Sequence, residues 1–339
     1  MTLHRRNLMG LAAAAAGTVA TAAVAKGAEM TTPSPVQMTP GPMLAPPDPE
    51  EVWKLWPQGA PGGEHVTVTP VVTERSKDPA FHDRFAQYTT DPILSVMRPI
   101  TPNGASLILI PGGGYKWSVL DKEGFDVARV FAEAGVTCFI LRYRLPADGW
   151  AAGPEAPLQD AQRAVRMVRS RAAEFDLDPA RVAVLGASAG GHLAGWVTAA
   201  KTATYAPVDA HDEAAFRPDF SILMYPVATM ADPFVHAGSR EQLLGPSPTP
   251  EQIAAHSLEQ MDWTGAPPLW LVHAIDDASV VVENSLQLVT ALRRARVPVE
   301  AHLFEEGGHG FGIRLIAGKP AEAWPEIALR FGRRHGWVA

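Results

Sequence analysis

The sequence predicts an α/β sandwich, a mostly parallel sheet with helices on both faces. Three observations carry that expectation. From Ser106 onward, short apolar runs alternate with stretches of helical periodicity, the pattern of successive strand–helix units. The apolar runs are short and β-branched, as buried strands are. Of 339 residues, 47% are hydrophobic and 19% charged, enough to fill a sizeable core and exclude disorder over most of the length. No self-similar period occurs, which excludes repeat, collagen-like and coiled-coil architectures.

Residues 1–25 read as a twin-arginine-type signal peptide. Arg5-Arg6 precede an alanine-rich run from Leu8 to Ala25, and Ala23-Val24-Ala25 supplies an A-x-A cleavage site. The run is interrupted by Gly17, Thr18 and Thr21, and is less apolar than the roughly 20-residue stretch a membrane span needs. The expected location is periplasmic or secreted, with no stable membrane insertion after signal removal. Residues 26–50 carry seven prolines and read as an extended linker over the surface, because proline fixes φ and has no amide donor. Residues 51–339 then form the globular domain.

Within that domain, His65–Thr69 and Ile93–Met97 are expected as short strands, able to pair antiparallel at one sheet edge. Ser106–Ile110 is a strand stopped by Pro111-Gly112-Gly113-Gly114. A helix over Gly124–Ala134 ends at Gly135, and Val136–Tyr143 is the next strand. The helix Leu158–Phe175 sets its apolar positions opposite its arginines. Arg181–Leu185 is a strand, and a helix follows from Ala189 to Lys201. Strands Phe220–Met224, Leu269–Ile275 and Val299–Phe304, with helices Glu283–Arg296 and Ala321–Arg334, complete the alternation. Forty-four residues separate Met224 from Leu269, and within them Thr249-Pro250-Glu251-Gln252 is a capped helix start. This insertion, near 226–266, reads as a lid or specificity element, or as packing decoration.

Charge and cysteine usage narrow the function. Lys and Arg number 29 against 36 Asp and Glu, a net charge of −7, which argues against a nucleic-acid partner. The single cysteine, Cys138, excludes an internal disulfide framework and a Cys-rich zinc site. No H-x-x-x-H, G-K-[ST] or G-x-G-x-x-G spacing occurs, so neither a metal nor a nucleotide cofactor is expected.

The chemistry centres on Gly186-Ala187-Ser188-Ala189-Gly190, a G-x-S-x-G between an apolar strand and a helix. A turn that tight leaves no room for side chains at the flanking positions and exposes the serine Oγ in a strained conformation. The helix N-terminus adds a positive dipole end where negative charge develops. Ser188 needs a base, and His309 in Glu306-Gly307-Gly308-His309-Gly310-Phe311-Gly312 follows the last strand on a loop free to present it. Among the other histidines, His273 lies within a strand, His192 within the helix after the serine, and His65, His82, His211 and His236 in polar loop context. An acid to orient the base comes from Asp276-Asp277. Asp277 is preferred because it lies three residues before Val280, and Asp276 then caps or braces the turn. The order Ser, Asp, His is that of α/β-hydrolases. Amides of Gly113 and Gly114, where esterases carry an HGGG-type loop, join that of Ala189 as oxyanion donors, with Pro111 in the histidine's place. Tyr115, Trp117, Trp150 and Tyr225 are candidate pocket aromatics.

The segments PGGGY, LRYRLP, PLQDAQRAVRMVR, DPARVAVLGASAGGHLA and HAIDDASVVVENSLQLVTALRRARVPVEAHLFEEGGHGFG resemble the α/β-hydrolase-fold esterases of the acetyl esterase/lipase group. They are most similar to bacterial acetyl-xylan and feruloyl esterase-like members, from about Trp53 to the C-terminus. The resemblance implies Ser188, Asp277 and His309 as the triad, with Gly113, Gly114 and Ala189 as the oxyanion hole. It implies a secreted carboxylesterase acting on a small-molecule or carbohydrate ester. A prolyl-oligopeptidase-type peptidase shares the triad but usually adds a propeller, for which no blade repeat is present. A non-catalytic binding protein on the same fold is expected to have lost a triad member.

Overall fold

A computed structural model of the protein describes residues 45–339. The expected signal peptide and the linker as far as residue 44 lie outside the described residues. Residues 45–50, expected to wander, are tied to the body. Asp48 accepts both terminal nitrogens of Arg84 at 2.8 and 2.6 Å, and the Ala45 amide donates to the Pro79 carbonyl at 2.7 Å.

The strands are β1 (Val52–Lys54), β2 (Val71–Glu74), β3 (Arg84–Gln87), β4 (Ile93–Met97), β5 (Ser106–Ile110), β6 (Ser118–Val119), β7 (Thr137–Arg142), β8 (Val182–Ala187), β9 (Phe220–Met224), β10 (Leu269–Ala274) and β11 (Val299–Phe304). The helices are α1 (Asp126–Glu133), α2 (Ala156–Ser170), α3 (Ala189–Ala199), α4 (Ala237–Leu244), α5 (Pro250–Ala255), α6 (Glu283–Arg294) and α7 (Trp324–Arg334). Eight strands form the main sheet in the order β1-β4-β7-β5-β8-β9-β10-β11. Its pairings from β7 to β11 are parallel, and β4 runs antiparallel to both β7 and β1. β2, β3 and β6 make a small antiparallel sheet.

β5, β8, β9 and β10 are buried at every residue, which is why their sequences are mostly apolar rather than alternating. Alternate residues face opposite cores. Ile108 and Ile110 join Leu158 and Val165 of α2, Leu193 and Val197 of α3, and Leu288 and Leu292 of α6. Leu107 and Leu109 join Val127 and Phe131 of α1 and Ala328 and Leu329 of α7. Strand order reverses around β5: the chain passes to β7 on one side and then to β8 on the other. The loops leaving β5 and β8 therefore diverge and open a crevice at the carboxyl ends of the strands.

His65–Thr69 forms no strand. The edge partner of Ile93–Met97 is Val52–Lys54, in register Trp53 to Leu94. The alternating Val66 and Val68 read as strand by propensity, but among the described residues no strand pairs with them. Trp53, by contrast, buries its ring against Phe139 and Phe175, with centroids at 5.1 and 4.7 Å. The arginine side of α2 is covered as well. Arg163 is buried, donating to the Leu55 carbonyl and pairing with Asp209 and Asp212. The insertion is anchored by buried Leu243, Leu258 and Trp263, and α5 begins with the expected capping box of Thr249 and Gln252. Among the described residues no helix is long and apolar enough to cross a membrane.

Candidate active site

Ser188 sits between β8 and α3 at φ 54° and ψ −120°, a backbone conformation L-residues rarely adopt. Its amide donates to the Met224 carbonyl at 2.9 Å and its carbonyl accepts the Val227 amide at 3.0 Å. Side chains cannot enter this turn. A Cβ on Gly186 would lie 2.1 Å from the Gly190 carbonyl oxygen, and one on Gly190 2.0 Å from that of Ile110.

The structure brings Ser188, His309 and Asp277 together from three separate loops. Ser188 Oγ lies 2.8 Å from His309 Nε2, and His309 Nδ1 lies 2.7 Å from Asp277 Oδ2. Asp277 is buried, and its Oδ1 accepts the Ser279 and Val280 amides, each at 2.9 Å. Burial alone would raise its pKa. Hydrogen bonds from His273 and His309, with the Val280 amide, outweigh that and hold the carboxyl well below the usual carboxylate range. An ionised Asp277 only accepts, so the proton of neutral His309 sits on Nδ1 and the Nε2 lone pair faces the serine hydroxyl. Asp276 plays the bracing part: its Oδ1 accepts the Gly308 amide at 2.8 Å, steadying the histidine loop.

The loop after β5 lies against the serine. A Cβ on Gly112 would sit 2.8 Å from Ser188 Cβ. Among the described residues, the amides of Gly113 and Gly114 donate to no protein acceptor, and Ala189 opens α3, where amides have no intrahelical partner. Pro111 anchors the loop through its carbonyl, which accepts the Tyr143 hydroxyl at 2.8 Å.

A cavity of about 400 Å³ opens beside Ser188 and His309, between the Gly113–Trp117 loop and the start of α4. Of the four candidate aromatics only Trp117 lines it. Tyr115 is buried, and its hydroxyl donates to His192 Nδ1 at 2.7 Å; His192 Nε2 in turn donates to the His256 carbonyl at 2.7 Å. Trp150 packs away from the cavity, with the Arg144 guanidinium 4.9 Å over its ring. Tyr225 lies beneath the site, edge-on to His309 with centroids at 5.1 Å. Tyr115 and Tyr225 fill the core rather than the pocket because their hydroxyls find protein partners there, whereas Trp150 is held by the guanidinium over its ring face.

Sequence reasoning missed Glu123 and His236. Glu123 is buried at the cavity floor and joins two loops. Its Oε2 accepts the Gly112 amide at 2.9 Å and its Oε1 the Tyr225 hydroxyl at 3.1 Å, while the Tyr225 oxygen accepts the Gly312 amide at 3.2 Å. Nothing local marks it; the only signal is an acidic residue following the glycine loop. His236 stands at the start of α4 and lines the cavity opposite that loop.

Residues 107–313 match the profile of the alpha/beta hydrolase fold family, well over half of the chain. An endo-1,4-beta-xylanase B of Butyrivibrio fibrisolvens is 32% identical over 207 residues, covering 61% of this chain and 32% of that protein. An acetylxylan esterase of Xylanibacter ruminicola is 31% identical over 219 residues, covering 63% of this chain and 42% of that one. The chain thus spans about a third and about two fifths of these relatives' lengths. The crystal structure of an acetyl ester-xyloside bifunctional hydrolase from Caldicellulosiruptor lactoaceticus superposes with a TM-score of 0.68 at 29% identity, covering 86% of this chain and 98% of that one. On its profile match, with a nucleophile-type elbow at the switch point of a parallel sheet, the chain belongs to the alpha/beta hydrolase fold family.

Proposed function

We propose that this chain is an exported serine carboxylesterase that removes short acyl groups, acetyl foremost, or hydroxycinnamoyl groups from carbohydrate such as xylan. The observation that carries the reading is the continuous relay Ser188 Oγ, His309, Asp277, with separations of 2.8 and 2.7 Å. Ser188 attacks the ester carbonyl as its proton passes to His309 Nε2. Amides of Gly113, Gly114 and Ala189 hold the oxyanion, each such donor typically worth about 2.7–4 kcal/mol to the transition state. The imidazolium, held by Asp277, returns the proton to the leaving alcohol, and water attacks the acyl-enzyme by the same route.

The carbohydrate assignment is supported by the acetylxylan esterase and the acetyl ester-xyloside hydrolase among similar proteins, and by the Trp117 ring in the cavity. Export is supported by Arg5-Arg6 and the alanine-rich run after them. Release of p-nitrophenol from acetate and butyrate esters, beside a peptide anilide, tests the reaction class. Ester turnover in the wild type, lost in Ser188→Ala by roughly 10⁴-fold or more, is expected. Turnover of the anilide alone would make the chain a peptidase.

A further inference from the structure

The wall of the cavity contributed by the insertion carries polar groups that the reaction itself does not use. His236 precedes α4 and caps it. Its Nδ1 accepts the Ser239 amide at 3.1 Å and lies 2.8 Å from Ser239 Oγ, which is buried. A ring nitrogen that accepts an amide hydrogen carries none itself, so the proton of the neutral ring is on Nε2. Burial of the ring, then the proximity of His309, lowers the His236 pKa and so favours the neutral ring.

His236 Nε2 has no acceptor among the described residues, and the ring lines the same cavity as Ser188 and His309. Its Cε1 would lie 3.9 Å from a Cβ on Gly114, one of the candidate oxyanion donors. The ring therefore stands next to whatever group flanks an ester carbonyl seated on Ser188. Along α4, Glu241 and Gln242 line the cavity too, and neither side chain engages another protein group among the described residues. Across from them is the Trp117 ring. One wall thus offers a fixed N–H donor, an acceptor-only carboxylate and an amide, while the other offers an apolar face.

We infer that the start of α4 is the alcohol-recognition wall of the site. His236 Nε2–H donates to a hydroxyl or ring oxygen of a polyhydroxylated alcohol, and Glu241 and Gln242 read its neighbouring hydroxyls. The inference rests on the esterase reading and adds to it the residues that select the alcohol. The helix cap is the device that makes this specific. By occupying Nδ1 it sets the tautomer before any substrate arrives, so the wall rejects a leaving group with nothing to accept the hydrogen bond.

His236→Asn separates the two jobs. The Asn Oδ1 caps the helix by accepting the Ser239 amide, but the shorter side chain removes the Nε2 donor. The measurement is kcat/KM on a monoacetylated methyl pentoside divided by kcat/KM on phenyl acetate, with the thermal midpoint followed to verify the fold. The ratio is expected to fall about tenfold in His236→Asn, the loss of one hydrogen bond, and in the same direction in Glu241→Ala. A ratio unchanged within about twofold, whether both rates fall together or neither moves, overturns the inference. Wild-type protein that hydrolyses neither ester, with Ser188→Ala indistinguishable from it, would instead remove the esterase reading and the inference with it.

Discussion

Ser188 holds a conformation that typically costs about 1–3 kcal/mol, and the fold sustains it through two backbone hydrogen bonds to the segment leaving β9. The residues around it divide by what they touch. Asp277 orients His309 through Oδ2 and accepts the Ser279 and Val280 amides through Oδ1, so Asp277→Asn keeps those two bonds and the shape of the site while its amide favours the wrong imidazole tautomer. A fall in kcat of about 10⁴-fold is expected from steady-state kinetics, with little change in the unfolding midpoint. Glu123 hydrogen-bonds neither Ser188 nor His309. It holds the amide next to the proposed oxyanion donors and, through Tyr225, the loop that carries His309. Glu123→Ala leaves the Gly112 amide and Tyr225 hydroxyl without their acceptor, so kcat on phenyl acetate is expected to fall about tenfold with KM within about twofold. Glu123→Gln, which keeps one acceptor, recovers part of the loss. A rise in KM with kcat intact would place Glu123 in binding instead.

Helix α3 shows how an element joins the site to its surroundings. His192, in its first turn, is fully buried between Tyr115 of the glycine loop and the carbonyl of His256 after α5. Burial lowers its pKa to about 4, chiefly by disfavouring the charged form. Between pH 6.5 and about 4 the unfolded chain takes up a proton here that the folded one refuses. The stability this neutral ring confers is therefore whole above 6.5 and is lost as the pH falls toward 4. Urea unfolding at pH 7 and pH 5 is expected to differ by about 2 kcal/mol more in wild type than in His192→Gln. Equal differences in the two proteins would show that His192 is not held neutral. The place of His192 in the helix after the serine is legible in the sequence; which groups it meets is not, since they lie 77 and 64 positions away.

At the scale of the whole molecule, the C-terminus closes the fold. Trp337 stacks on Phe220 of β9 with centroids at 4.9 Å, and its Nε1 donates to the Ser106 carbonyl at the start of β5, 231 positions earlier. Trp337→Ala opens the core between α7 and the sheet and leaves that carbonyl unpaired. A loss of about 3–5 kcal/mol is expected from equilibrium unfolding, with the ester kinetics of the surviving folded fraction intact, because the cavity lies at the opposite ends of the strands. The central layers were legible because each buried strand is a mostly apolar run and each covering helix has an apolar stripe. The edge was not. Val52–Lys54 is three residues long and becomes a strand only because Ile93–Met97 offers it a partner, whereas His65–Thr69 has the propensity and no partner.

The sequence by itself determined the alternation of elements, the order in which Ser188, Asp277 and His309 follow one another, and the glycines around the serine. These are local facts, written in periodicity, spacing and the absence of side chains. Only the tertiary structure decided which aromatics meet the cavity, which acid joins the two loops, and which nitrogen of His236 keeps its proton. Those outcomes depend on partners distant in the chain, and a side chain's spacing carries no record of what the fold sets beside it.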